Sequence, residues 1–181
     1  MSSSPPVPVV WPTADPSVTL VPLAAEHAER VQELASDPAI GATSNVPSPY
    51  PEDGARQWIA YSLAARVEGR EYAFAVTHAE HGLVGACTLL EVDLAAKHGT
   101  LGYWIGTPYW RRGFASLAAR AALDFGARHL GLRRVSACCL DRNAASDRVL
   151  LKVGFEFTST CENETRGPIR NYVCNLEEGD A

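Results

Sequence analysis

Between a run ending Gly102-Tyr103-Trp104-Ile105 and a helical repeat beginning at Phe114, the chain carries Arg111-Arg112-Gly113-Phe114-Ala115-Ser116. A strand, a turn and then a helix opening on these residues can hold a pyrophosphate. The first turn of a helix carries unpaired N–H groups and the positive end of the helix dipole. An anion placed there completes hydrogen bonds that the chain cannot make internally. Gly113 lets the backbone approach closely, Ala115, Ser116, Ala118 and Ala119 keep the mouth of the helix small, and Arg111 and Arg112 add charge-assisted contacts to phosphate oxygens. The alternative is an ordinary helix start beside two solvated arginines, since the spacing is neither a P-loop nor a full dinucleotide fingerprint.

The other reactive side chains show less organisation. Five cysteines, Cys87, Cys138, Cys139, Cys161 and Cys174, form no Cys-x-x-Cys pair, and reduced packing thiols are the expectation. Cys138 and Cys139 are adjacent in an apolar run, so on a strand they would face opposite sides of the sheet. His27, His78, His81, His98 and His129 are scattered without ligand spacing, and no metal is expected. Trp58, Trp104, Trp110, Tyr103 and Tyr109 read as core or groove-wall aromatics rather than as a ligand cage.

Whole-chain properties narrow the partners. The 181 residues fit one domain, and a formal net charge of −5 argues against an electrostatically driven nucleic-acid binder. No run approaches a membrane span, and the Ser/Pro-rich start lacks the basic and apolar regions of a signal peptide. A cytoplasmic protein is expected. Residues 1–16 hold five of the twelve prolines, which reads as a flexible N-terminal tail over 1–17. A single domain over 18–176 and a short C-terminal tail over 177–181 complete the expected organisation.

The elements that must position these groups follow from periodicity. Val18 to Leu23 reads as a strand, and Ala24 to Ser36 as a helix stopped by Asp37-Pro38. Gly41 to Pro51 reads as a loop, and a second helix runs from Glu52 towards Gly69. Tyr72 to Thr77 and Leu83 to Val92 read as an antiparallel hairpin, followed by a strand from Thr100 to Ile105. Phe114, Leu117, Ala118, Ala121, Ala122 and Phe125 recur at helical spacing up to Leu130, with Gly131 as the stop. Val135 to Leu140 reads as a buried strand, Asn143 as the N-cap of a short helix ended by Gly154, and two strands close the chain. The resulting order is βααβββαβαββ.

Asn143, Ser146, Lys152, Gly154 and Phe155, taken with Gly102-Tyr103-Trp104-Ile105 and the glycine turn at 113, form three motifs in an order and spacing that resemble the GNAT superfamily of N-acetyltransferases. The RimJ/RimL-like branch, known for acetylating α-amines of ribosomal proteins, is the most similar. The resemblance covers most of residues 18–176. It implies an α/β (α+β) fold with a mostly antiparallel, twisted sheet of about seven strands flanked by four helices. It also implies acetyl-CoA as co-substrate, with Arg111, Arg112, Gly113, Phe114, Ala115 and Ser116 on the pyrophosphate, the backbone of Trp104 and Ile105 on the pantetheine, and Asn143 and Ser146 near the thioester. Trp110 stands where the superfamily usually has Gln or Arg, which removes a side-chain phosphate contact from the expected set.

Such a site moves an acetyl group directly to an amine, either a protein or peptide N-terminus or a small amine. The attacking nitrogen must lose a proton, the oxyanion needs a donor, and the departing thiolate needs an acid. Ser146 is the expected donor to the sulfur; its alternative role is that of a small polar residue in a helix start. Among Glu91, Asp93, Glu162 and Glu164, the expected base is Glu91, weighed against solvated strand-end charges. Tyr50 would line the acceptor side. A homodimer is possible on the resemblance, and the rival function is a non-catalytic acyl-CoA binding or sensing module.

Overall fold

The computed structural model describes residues 10–176, so the expected C-terminal tail and residues 1–9 of the expected N-terminal tail lie outside the described residues. The strands are β1 (Trp11–Pro12), β2 (Val18–Pro22), β3 (Tyr72–His78), β4 (Gly82–Asp93), β5 (His98–Ile105), β6 (Arg134–Leu140), β7 (Glu156–Asn163) and β8 (Gly167–Asn175). The helices are α1 (Ala28–Ala35), α2 (Pro38–Thr43), α3 (Gly54–Val67), α4 (Phe114–Leu130) and α5 (Ala144–Lys152), with single 3-10 turns at Ala25–His27 and Thr107–Tyr109.

The eight strands form one sheet in the order β1-β2-β3-β4-β5-β6-β8-β7. Every pairing is antiparallel except β5 with β6, as the mostly antiparallel expectation requires. That exception is topological: the chain leaves the end of β5, returns through α4 and re-enters the sheet beside β5, and only a crossover of this length can join parallel neighbours.

Alternation along β3 builds both cores. Tyr72, Phe74 and Val76 face α4, while Ala73 and Ala75 face α1 and α3, where they pack with Val31 and Ile59. The small alanines let those two helices lie close to the sheet. On the other face Phe125 of α4 is fully buried, and the rings of Phe74 (5.0 Å), Trp11 (5.2 Å), Tyr72 (5.6 Å) and His129 (4.9 Å) surround it. Gly131, at φ 69°, ends α4 at the expected residue.

Three expectations are corrected. Residues 10–17, assigned to the tail by their prolines, contain β1, whose Trp11 and Pro12 pair with Leu20 and Thr19. Trp11 supplies the edge of an aromatic core that composition does not reveal. Asp37-Pro38 stops α1 but also starts α2, because the Asp37 carboxylate accepts from the Ala39 N–H at 2.9 Å and Pro38 occupies the first helical turn. The count is therefore eight strands and five α-helices rather than about seven and four.

Replacing Phe125 with Ala opens a cavity between Trp11, Tyr72 and Phe74. The expected cost is about 3–5 kcal/mol of unfolding free energy in urea titrations. A loss below about 1 kcal/mol would mean that this ring cluster does not anchor α4.

Candidate active site

The parallel pairing of β5 with β6 runs from His98↔Arg134 to Leu101↔Ala137 and stops there. Beyond that point β5 continues to Ile105 paired only with β4, and β6 continues to Leu140 paired only with β8. Gly102 to Ile105 and Cys138 to Leu140 therefore diverge, and their facing edges have no strand partner. A cavity of about 1090 Å³ fills the opening. It extends from the start of α4, across the splayed strands and the first turn of α5, to the segment between α2 and α3.

The sequence places α4 at the wide end because the crossover starts where β5 finishes. Gly113 is the N-cap of α4 with φ 84°, and no side chain caps the helix. A Cβ added at Gly113 would meet no protein atom within 4 Å, so this approach to the helix start is open. Gly113, Phe114, Ala115 and Ser116 all line the cavity, as does Arg111, whose backbone is also left-handed (φ 64°). Arg112 is the exception among the expected phosphate contacts. Its guanidinium lies 3.2 Å from His81 Nε2 and over the Tyr109 ring, pointing towards the β3–β4 connection rather than into the cavity wall. The expected turn aromatic at 110 has a local role, in which the Trp110 indole N–H donates to the Ile105 carbonyl at 2.6 Å and braces the exit from β5.

At the centre of the opening, Asn143 caps α5 by accepting from the Ser146 N–H at 3.1 Å. Its amide N–H donates to the Thr43 carbonyl at 2.9 Å, so one side chain fixes both α5 and the end of α2. Ser146, Asn143, Trp104 and Ile105 line the cavity together, as expected. The Ser146 hydroxyl lies 2.8 Å from the Tyr103 hydroxyl, a pairing with no signal in the sequence. Tyr103 and Trp104 are neighbours on β5 and so point to opposite faces; only the fold brings Tyr103 under α5. Burial raises the Tyr103 pKa above its ordinary 10.0, so the phenol keeps its proton at neutral pH.

Glu91 is not brought into the cavity wall. It sits exposed at a bulge of β4, between Leu90↔Thr100 and Asp93↔His98, with φ 49°. There its carboxylate accepts from the hydroxyl of Thr100, which does line the cavity, at 3.1 Å. Asp93 is occupied by the Ala95 and Ala96 N–H groups, both at 2.9 Å. Glu162 and Glu164 are exposed. Cys138 and Cys139 face opposite ways, one exposed and one buried, and all five thiols are free. Burial pushes the Cys87 thiol up to about 12, as for a packing cysteine.

The far wall of the cavity is built from Tyr50, Trp58, Trp104, Val46 and Pro47, with Arg166 and Ile169 contributed by the β7–β8 hairpin. Arg166 is a second residue that sequence reasoning does not single out. Its guanidinium donates to Asn45 Oδ1, to the Ser44 carbonyl and, at 3.4 Å, to the Gly41 carbonyl, clasping the segment after α2. Taken together, the site offers free helix-start amides, unpaired strand edges and a hydroxyl pair facing one continuous space. Those are the parts needed to hold an extended phosphorylated thioester and protonate its sulfur.

The model of the acetyltransferase (GNAT) domain matches residues 17–156. The uncharacterized N-acetyltransferase YoaA of Bacillus subtilis (strain 168) is 43% identical over 82 residues, covering 44% of this chain and 42% of that protein. The uncharacterized N-acetyltransferase p20 of Bacillus licheniformis is 27% identical over 141 residues, covering 77% of this chain and 79% of that one. Among solved structures, RimL, a ribosomal L7/L12 alpha-N-protein acetyltransferase in complex with coenzyme A, superimposes with a TM-score of 0.85 at 15% identity. That superposition covers 94% of this chain and 99% of RimL. No helix among the described residues is long and apolar enough to cross a membrane. With this splayed sheet and a domain match over residues 17–156, the chain belongs to the GNAT acetyltransferase family.

Proposed function

We propose that the cavity binds acetyl-CoA and that the protein transfers the acetyl group directly to an amine. The observation that carries this reading is the loss of β5–β6 pairing after Leu101↔Ala137, directly below the uncapped start of α4. The amides of Gly113 to Ser116, with Arg111, would hold the pyrophosphate, and the free edge of Trp104 and Ile105 would pair with the pantetheine amides. The co-substrate supplies an activated acetyl thioester. Five free thiols and a single domain fit a cytoplasmic setting.

In the transfer, the amine nitrogen forms the new C–N bond as the C–S bond breaks. Ser146 donates its hydroxyl proton towards the departing sulfur, and Tyr103, hydrogen-bonded to Ser146, acts behind it as a positioning residue and proton source. Unpaired N–H groups on the β5 edge serve the oxyanion without a dedicated side chain. Glu91, bonded to Thr100 at the rim, accepts the ammonium proton through that hydroxyl or through water rather than by direct contact. Holding both reactants in one cavity supplies much of the remaining acceleration.

The rival reading, a non-catalytic acyl-CoA sensor, gains from one observation: among the described residues, no Asp or Glu lines the cavity. Release of CoA in the presence of a panel of amines separates the two. A sensor binds acetyl-CoA and releases none.

Two tests address the site directly. Gly113→Ala places a Cβ in open space at a left-handed residue, costing about 1–2 kcal/mol of stability. Calorimetry on the folded variant is expected to give acetyl-CoA affinity at least about tenfold weaker, the equivalent of about 1.4 kcal/mol; unchanged affinity would move the pyrophosphate elsewhere. Ser146→Ala is expected to lower kcat on the order of 10–100-fold with little change in the KM for acetyl-CoA. Tyr103→Phe should lose less, and should add nothing in the Ser146→Ala background, because it acts through Ser146. Full additivity of the two losses would place Tyr103 outside that path.

A further inference from the structure

The acceptor half of the cavity has a charge pattern that the whole-chain balance hides. The formal net charge is −5, yet none of the described Asp and Glu side chains lines the cavity. Four cationic side chains line the cavity, Arg111, Arg148, Lys152 and Arg166, and the one carried by the far wall with Val46, Pro47 and Tyr50 is Arg166, partly buried at the tip of the β7–β8 hairpin. Its guanidinium donates to Asn45 Oδ1 and to the carbonyls of Ser44 and Gly41, all of them neutral acceptors, so its positive charge faces the cavity without a carboxylate to compensate it. The surrounding surface is apolar or aromatic, from Val46, Pro47, Tyr50, Trp58 and Trp104.

A polycation would have to give up water on entering this space and would meet a like charge there with no carboxylate in the wall to offset it. An amine that brings its own anion meets the opposite situation. Arg166 presents donors in a planar fork suited to a carboxylate or phosphate, in a site partly shielded from water. The Cys138 thiol, which lines the cavity, lies within electrostatic reach of both Arg166 and Glu91, although Glu91 is outside the wall. That thiol, raised chiefly by burial and by Cys161, is drawn down by Arg166 and up by Glu91.

Resting on the acetyltransferase reading above, we propose that the acceptor is a small amine that carries its own anionic group, a carboxylate or a phosphate, on an apolar body, and that Arg166 binds that group. The reaction balances as for any amine: the acetyl carbon passes from sulfur to nitrogen, CoA leaves as the thiol, and one proton leaves the ammonium. Arg166 takes no part in the bond changes and sets which amine is bound.

The test measures CoA release by the full chain with acetyl-CoA and four probes: L-phenylalanine, L-phenylalaninamide, O-phosphoethanolamine and spermidine. Phenylalanine is expected to exceed its amide in kcat/KM by about tenfold or more, the scale of one charge-assisted hydrogen-bonded pair. Spermidine is expected to be the poorest of the four. A higher rate with O-phosphoethanolamine than with phenylalanine would assign the anion as phosphate, and the reverse as carboxylate. Arg166→Met should bring the acid-to-amide ratio close to one. Asn45→Ala, which loosens the same clasp but keeps the charge, should preserve that ratio. Preference for the amide or for spermidine, or an Arg166→Met variant that loses acid and amide equally, overturns the inference and leaves the transferase reading standing. Binding of acetyl-CoA without release by any of the four, or by peptide N-termini, overturns both.

Discussion

The arrangement depends on one broken ladder. Backbone N–H and C=O groups in a sheet interior are strongly driven to pair, so two adjacent strands that part midway leave a row of donors and acceptors needing another partner. β5 and β6 part after Leu101 and Ala137 while each keeps its outer neighbour, β4 on one side and β8 on the other. The sheet is therefore held open from both flanks rather than frayed. An extended ligand bearing amides can replace the missing strand, which is strand addition in the middle of a sheet instead of at its edge.

The same parallel pair decides where charge can be bound. Because β5 and β6 run in one direction, their connection must cross over the sheet, and α4 begins at the end of β5 where the opening is widest. A helix start and unpaired strand edges thus meet without any motif having to encode the meeting. Asn143 secures the other side of the opening with two hydrogen bonds, one holding the first turn of α5 and one holding the end of α2. Ser146 is placed by the first of these, and Tyr103 reaches it from β5.

Electrostatics at the acceptor end illustrates why net charge says little about a site. Acidic residues outnumber basic ones along the chain, but none of the described ones lines the cavity. The charged side chains in the cavity wall are all basic, and one of them, Arg166, ties the β7–β8 hairpin to the segment after α2 beside a cluster of aromatic rings. On the proposed reading, the side chain that clasps this segment is also the one that selects the acceptor.

What could be read in the chain itself was whatever depends on neighbours a few residues apart. The helical recurrence of Phe114 to Phe125, the stop at Gly131, the cap at Asn143 and the glycine at 113 are local, set by backbone geometry and short-range hydrogen bonds, and each stands where the sequence puts it. The three-motif resemblance supplied the fold and the residues around the opening. Local signals also misled: Asp37-Pro38 ends one helix and starts the next with identical chemistry, and the prolines around Trp11 hide a strand whose existence depends on Leu20 and Phe125. Arg112 turns towards His81 and Glu91 rides a bulge, so neither could be placed by its position in a motif. The Tyr103–Ser146 pair and the Arg166 clasp join residues far apart in sequence, and a hydrogen bond between distant segments leaves no periodic trace in either. Only the closing of the sheet decided them, because pairing across it is fixed by the register of the strands and the packing of α5, not by the identity of the residues alone.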